Sequence, residues 1–425
     1  SRNRADWLLG VNSSHAICKA VGFGNNSLGR VQTPVLAEIC RRYREKENHM
    51  PADSWPVFIS LCKNDRILKM RHVDDLVAHR EALALYEDCK AAKNARITTV
   101  RKRTEEIGAP ALYNLAELQK DANRYHGLTA IQVQEIAQSL YEKRLISYPR
   151  TSSRLLPGDV YDTLPPVMEK MLSRKEFRQY AGMVDLAAPQ DSIGAQDTME
   201  HHAIIITGIQ PGKLGREEML VYTLIVGRVL ETFMPPCKVE YTTVDAVCAA
   251  RKFRIRTYRI LEKGWLGIFE REHIVAKGRM PYQVMPEFFQ EEILPVAGCS
   301  LIHKKSLPVS PYTDEELVDY MDKAGLGTVS TRTNILRTLL ERKYIRYSGK
   351  YVVPTPKGLF LYETVRGMKV ADASLTSGWE NELARIERGE LSQEEFLDGV
   401  LETVNEVTGE IFRNHPVEKR PQGTI

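Results

Sequence analysis

Apolar and polar residues change their period several times along this 425-residue chain. Residues 1 to about 46 read as helical and end in the charged run Arg41 to Asn48, after which Trp55 to Cys62 alternates as a strand does. Val239 to Val247, Lys252 to Leu261 and Glu291 to Leu294 repeat that period. Two β-rich stretches, about 50–104 and about 238–306, therefore flank a helical insertion. Inside the insertion, the Thr-x-x-Gln pair of Thr129 and Gln132, with apolar Ile131, Ile136, Leu140 and Tyr141, predicts a capped helix running to Arg144. The apolar run Ala203 to Ile206 reads as a buried strand, which would turn one of His201 and His202 inward and the other outward. From Thr313 onward the pattern is mainly helical. Asn334, Ile335, Leu339 and Leu340 lie on one helix, Tyr344 to Val353 suggests a hairpin, and Ser392 to Phe412 an acidic amphipathic helix. The proline-containing tail, Arg413 to Ile425, is expected to be loose.

Composition changes this picture little. A hydrophobic content of 43% can fill several cores, so two to four domains are expected. The net charge of +4, from 59 basic and 55 acidic residues, means that any polyanion-binding surface must be a local concentration. Arg101-Lys102-Arg103 is one short basic cluster and reads as a solvated linker. The seven cysteines include no Cys-x-x-Cys pair, which suggests neither a disulfide scaffold nor a zinc ribbon. No apolar run reaches the roughly 18 residues of a membrane span, no secretory leader is visible, and no internal repeat stands out. A cytoplasmic protein is the natural expectation.

The densest chemistry lies just beyond the capped helix, in Leu145-Ile146-Ser147-Tyr148-Pro149-Arg150-Thr151-Ser152-Ser153. A phenol titrates near pKa ~10 and is a poor nucleophile at neutral pH, so it needs a cation nearby to stabilise phenolate and the charge building on phosphorus. Arg150 can supply that cation. Pro149 discourages helix, and in an extended segment residues two apart share a face, so both side chains could meet one phosphate.

Six blocks in fixed order, spread over almost the whole chain, resemble type IA DNA topoisomerases, especially the topoisomerase III branch. Beside the tyrosine block, with its upstream Gly127-Leu128-Thr129-Ala130, they are Arg2 to Asn12 and Ser27-Leu28-Gly29-Arg30-Val31-Gln32-Thr33-Pro34. His201-His202-Ala203-Ile204-Ile205 follows, then Gly325 to Arg332 with Pro354-Thr355-Pro356-Lys357-Gly358, and finally Leu375 to Leu383. The resemblance implies a multidomain α+β fold, the toroidal core of domains II, III and IV. Domain IV would comprise 1–46 and 308–425, the discontinuous β-rich arch of domain II 47–104 and 238–307, and the tyrosine-bearing domain III 105–237. Hinges would lie near 104 and 238.

It also implies that Tyr148 attacks single-stranded DNA and holds a 5′ phosphate, assisted by Arg150 and His201, with strand passage and religation needing no ATP. Ser27, Arg30, Gln32 and Thr33 offer hydroxyl, cation and amide to phosphate, sugar and base edge, although a plain turn into the helix after Pro34 would use them equally. Arg2 and Asp6, four apart on a helix, would ordinarily be an exposed ion pair worth about 0.3 to 0.5 kcal/mol, but the resemblance places them near the strand-binding region. His202 is less strictly implied. Thr328, Ser330 and Thr331 could bond a phosphate at a helix start or simply cap that helix.

Two departures touch the active-site block. Ser152 stands where the family usually has aspartate, and Ile206 where it has proline. A larger one is that no block resembles the Toprim domain, whose carboxylates hold Mg²⁺ in the family. The chain is expected to be a fragment that needs Toprim in cis, with the Mg²⁺ ligands there and no metal site of its own. Partners would be single-stranded DNA and a helicase, in a nucleoid-associated setting. The alternative from another class is a non-catalytic single-stranded DNA-binding module. A tyrosine recombinase fits less well, because its arginine and histidine pattern is not found.

Overall fold

The two stretches with strand period close into one barrel. The computed structural model describes residues 1–21, 26–175, 177–185, 201–269, 271–277, 280–282 and 285–415. The first stretch gives β1 (Asp53–Ser54), β2 (Val57–Lys63), β3 (Arg66–His72) and β4 (Asn94–Ile107); the second gives β5 (Cys237–Cys248), β6 (Arg251–Glu262), β7 (Ile293–Leu301) and β8 (Lys304–Lys305). The barrel runs β2-β3-β6-β5-β4-β7 with antiparallel neighbours, while β1 pairs with β8 outside it. Ile59, Leu61, Leu68, Met70, Ile97, Val244, Ala246, Phe253 and Ile255 share its core, one residue in two along each strand.

Two expectations change here. A helix the alternation did not announce, α3 (His79–Ala91), sits among the strands and buries Ala82, Leu85 and Cys89. Arg101-Lys102-Arg103 is not a linker. It lies within β4, opposite Thr243, Thr242 and Tyr241 of β5, because a barrel strand with one solvent-facing side tolerates charge there.

The insertion leaves the barrel at Ile107 and returns at Cys237, and these two residues are paired to each other at the end of the β4–β5 ladder. Between them α4 (Leu115–His126), α5 (Ala130–Glu142), α6 (Gly158–Tyr161), α7 (Leu164–Leu172) and α8 (Arg216–Thr232) share a second core. Asn114 caps α4, and the Thr129–Gln132 capping box opens α5. The core also holds charge. Arg228 bonds Asp121 at 2.7 Å and Glu231 at 3.0 Å, and Arg271 bonds the Tyr113 hydroxyl at 3.1 Å. Burial pushes the fully enclosed Glu231 carboxyl up to about 7, against the pull of Arg271 and Arg228.

Ala203 to Ile206 is not a strand. The segment makes two isolated bridges, Ile204 with Tyr113 and Ile206 with Ile146, and all four residues are buried. The Ala203 N–H goes to the Leu155 carbonyl and the Ile205 N–H to the Ser147 hydroxyl, both at 2.9 Å, so successive residues bond different segments and no ladder extends.

α1 (Arg2–Val21) and α2 (Gln32–Glu47) pack with α10 (Asp314–Lys323), α11 (Val329–Glu341), α12 (Pro356–Val365), α13 (Ala373–Glu387) and α14 (Gln393–Asn414) in a third core, beside the hairpin β9 (Ile345–Ser348) and β10 (Tyr351–Pro354). A short α9 (Glu272–Val275) lies between β6 and β7. Gly358 shows why the Pro354–Gly358 block ends in glycine: a Cβ there would stand 2.0 Å from the Tyr344 carbonyl oxygen. The second and third cores meet through polar contacts. Lys120 reaches Asp319 at 2.8 Å, Arg337 reaches Glu135 at 2.7 Å, and the Ala130 N–H donates to buried Asp314 at 2.6 Å. Of the C-terminal tail, 416–425 falls outside the described residues. Among the described residues, no helix is long and apolar enough to cross a membrane.

Candidate active site

The end of α5 aims the tyrosine segment. After Glu142 the chain turns through Arg144, at φ +59°, and Thr207 grips the turn by donating from its hydroxyl to the Arg144 carbonyl at 2.6 Å. Lys143 is tied to Glu218 of α8. That ion pair, with hydrogen bonds from Ser139 and the Gly215 N–H, pulls the Glu218 carboxyl down to about 2.

The tyrosine segment is then sewn to the histidine segment. The Ser147 hydroxyl donates to the Ala203 carbonyl at 3.1 Å and accepts from the Ile205 N–H at 2.9 Å, while the Ser147 N–H donates to the Ile205 carbonyl at 2.9 Å. Buried Thr151 donates to the His201 carbonyl at 3.1 Å. These bonds set the rings. Tyr148 is half-buried, its ring 4.5 Å from that of His201 and 5.5 Å, edge to face, from that of Tyr141. Arg150 is half-buried, and its Nε–H is enclosed without an acceptor among the described residues. An enclosed donor of that kind costs free energy unless something accepts from it, and an anionic oxygen would. His202 takes a different part, donating from Nδ1 to the Ala203 carbonyl at 2.7 Å. That bond fixes the proton on Nδ1 in the neutral ring.

The remaining candidates gather on the third core. Arg2 and Asp6 do not pair with each other. Arg2 pairs with Glu380, and Asp6 with Arg30 at 2.7 Å, because partners from α13 and the Ser27–Pro34 turn lie closer than the next turn of α1. Arg30 is 4% exposed; it also bonds Glu380 at 2.9 Å and lies 5.5 Å over the Trp379 ring. Thr33 is buried and accepts from the Gly29 N–H at 2.9 Å. Ser27 and Gln32 face outward together, both bonded by Arg342, with 2.8 Å to the Gln32 carbonyl oxygen. They line a groove of about 620 Å³ with Asp6, Arg30, Arg342 and Trp7, whose ring is 62% exposed.

Thr328 caps α11, the Thr331 hydroxyl accepting from its N–H at 2.8 Å, just after Gly327 at φ +75°. The side chain of Ser330 lies outside the described residues. Sequence reasoning missed Tyr141, Thr151, Trp7 and Arg342 as parts of these sites. Thr151 and Trp7 stood inside recognised blocks, and Tyr141 on the capped helix before the tyrosine. Arg342 carried no local signal, since its partners lie about 310 residues away.

The family model described as DNA topoisomerase matches residues 1–398. DNA topoisomerase 1 of Pyrococcus horikoshii is 29% identical over 429 residues, covering 98% of this chain and 61% of its own length. DNA topoisomerase 1 of Methanocaldococcus jannaschii is 28% identical, over 94% of this chain and 52% of itself. DNA topoisomerase 3 of Bacillus licheniformis is 28% identical, over 97% and 60%. The chain thus spans half to three fifths of the length of these relatives. Full-length topoisomerase I from Thermotoga maritima superposes with a TM-score of 0.73 over 96% of this chain and 66% of that one, at 20% identity, so the fold is shared. With the α+β core, the ordered blocks and the family match all in register, the chain belongs to the type IA DNA topoisomerase family.

Proposed function

We propose that this chain is the strand-holding and nucleophile-bearing part of an ATP-independent DNA topoisomerase that cuts one strand through Tyr148. The observation that carries this reading is the half-buried Tyr148 ring held 4.5 Å from His201, with the unaccepted Nε–H of Arg150 two residues on. The phenol oxygen attacks phosphorus in a single strand as its proton departs. A tyrosyl–phosphate bond to the 5′ side forms, the bond to the 3′ oxygen breaks, and that oxygen takes up a proton. One phosphodiester replaces another, so religation is the reverse step and needs no ATP.

Arg150 would stabilise charge on the phosphate oxygens, and His201 would bond the phosphate or move the proton. The groove beside Ser27, Gln32, Trp7 and Arg342 would hold the strand, with the Trp7 face open for a base. Strand passage requires the tyrosine unit to lift, breaking contacts such as Lys120–Asp319 while its two connections at Ile107 and Cys237 bend. Relaxation of negative supercoils and decatenation both follow from that cycle.

Among the described residues no three His, Cys, Asp or Glu side chains converge to hold a cation, so these residues do not fit a Mg²⁺ site. In this reading the ion is held by a Toprim segment joined in cis, and a helicase supplies unpaired DNA in a nucleoid-associated, cytoplasmic setting. The test joins the chain to a Toprim segment, adds Mg²⁺ and end-labelled single-stranded DNA, and traps the covalent adduct. Tyr148→Phe should lower adduct formation by about 10³-fold or more. The chain alone should bind the strand but cleave it weakly or not at all. Tight binding without any adduct in the joined protein would leave a strand-binding module.

A further inference from the structure

The outer face of the barrel carries positive charge that its own folding does not call for. Arg71 on β3 and Arg254 on β6 are direct cross-strand partners, and Arg256 follows Arg254 on the same face. Arg256 in turn stands opposite Thr243, which stands opposite Arg101 on β4. Like charges placed directly opposite on a sheet destabilise it. The carboxylate beneath them, Asp245, is fully buried, with Arg254 at 2.5 Å, Lys252 at 3.0 Å and Arg101 at 3.9 Å, so one anion faces three cations. Arg71 is held by Asp75 and Lys277 by Glu105, but Arg256 has no ion-pair or hydrogen-bond partner among the described residues. A cavity of about 430 Å³ opens at this place, lined by Arg71, Arg254, Arg256 and Lys277 with His72, Val73, Met280 and Pro281; the His72 ring is 5% exposed and packed edge-on against Phe253, so it offers no face to a base.

We propose that this barrel face binds the sugar–phosphate backbone of duplex nucleic acid, at a place distinct from the Tyr148 site. From β3 across β6 and β5 to β4 is three strand spacings, about 14 Å, too far for one phosphate to bridge but suited to successive phosphates. Sites for unpaired strands pair their cations with rings on which bases stack. This cavity has cations without an open ring, which fits a polymer whose bases are stacked inside. The groove at Trp7 has the opposite make-up. The inference deepens the topoisomerase reading by giving the fold a hold on an intact second segment, and it can fail while that reading stands.

The test measures binding of the 425-residue chain to a short blunt duplex and to an unpaired oligonucleotide of equal length, each across a salt series, for the parent and for Arg71→Ala/Arg256→Ala. Duplex binding should weaken by about tenfold at low salt, and the slope of log affinity against log salt should fall by about two, one per lost phosphate contact. The unpaired oligonucleotide should bind as before, and the thermal midpoint should hold or rise as the Arg71–Arg254 repulsion is relieved. If the double variant melts lower, the slope is read on Arg256→Ala, whose side chain is exposed and unpaired. Unchanged duplex affinity, an equal loss on both oligonucleotides, or displacement of duplex by inorganic phosphate at matched ionic strength would each overturn the proposal.

Discussion

Arg30 and Arg256 are both arginines of a fold shared with DNA topoisomerases, and they are built in opposite ways. Arg30 sits in the block the sequence marks most strongly for strand contact, yet it is 4% exposed, held by Asp6 and Glu380 and laid over Trp379. Its charge is spent inside the protein, and the groove receives instead the outer atoms of Ser27, Gln32 and Arg342. Arg256 belongs to no recognised block, stands in solvent and has no counter-charge among the described residues. Membership of a motif says that a residue matters to the site; pairing decides whether its charge reaches a ligand.

The comparison predicts unequal costs. Arg30→Ala removes a buried guanidinium from two carboxylates and a ring. A fully buried pair broken on one side costs about 3 to 5 kcal/mol, but Asp6 and Glu380 keep some solvent, so a loss of about 2 to 3 kcal/mol is expected from denaturant unfolding. Arg30→Lys should recover only part of it, because a single ammonium cannot reproduce the forked contacts. A midpoint for Arg30→Ala within error of the parent would erase the distinction between the two arginines.

An intermediate, pH-dependent effect belongs to Glu231, the fully buried carboxylate between Arg228 and Arg271. Its folded pKa, about 7, lies above the ordinary 4.5, so the native state holds a proton that the unfolded chain has released between those values. Stability should therefore fall as pH rises from about 4.5 to 7 and level off above. Melting curves of Glu231→Gln should be flat across that window, and a parent-like slope in the variant would assign the dependence to another group. The smallest effect is expected for Arg71→Ala alone, a change within about 0.5 kcal/mol and on the stabilising side, since it relieves a like-charge cross-strand pair. A clear destabilisation would mean that the Arg71–Asp75 pair outweighs the repulsion.

Local chemistry was legible in the sequence wherever partners lie close along the chain. The Thr129–Gln132 box, the amphipathic helix that starts after Ser392 and the β9–β10 hairpin all use residues within a few positions of one another. The α3 helix was hidden because its buried side is only Ala82, Leu85 and Cys89, too small a stripe to stand out between strands. The Arg101 cluster resembled a linker because its apolar counterpart is supplied by other strands of the barrel. At the candidate site, the blocks singled out Tyr148, Arg150 and His201, and the fold brings the Tyr148 and His201 rings to 4.5 Å. The clamp that seats Tyr148 on His201 runs from Ser147 and Thr151 to backbone about 50 residues away, and only the folded chain displays it.

The pairing of Ile107 with Cys237 has a consequence for ancestry. A peptide segment whose two ends already face each other across a ladder occupies the place of a hairpin loop, and a two-residue turn could close β4 onto β5 without disturbing any other register. A barrel arranged in this way can acquire a large module through one event at a turn, with its own sheet left whole. The proposed nucleophile, Tyr148, would then be a guest carried on a host barrel, and a barrel stripped of residues 108–236 should still know how to fold.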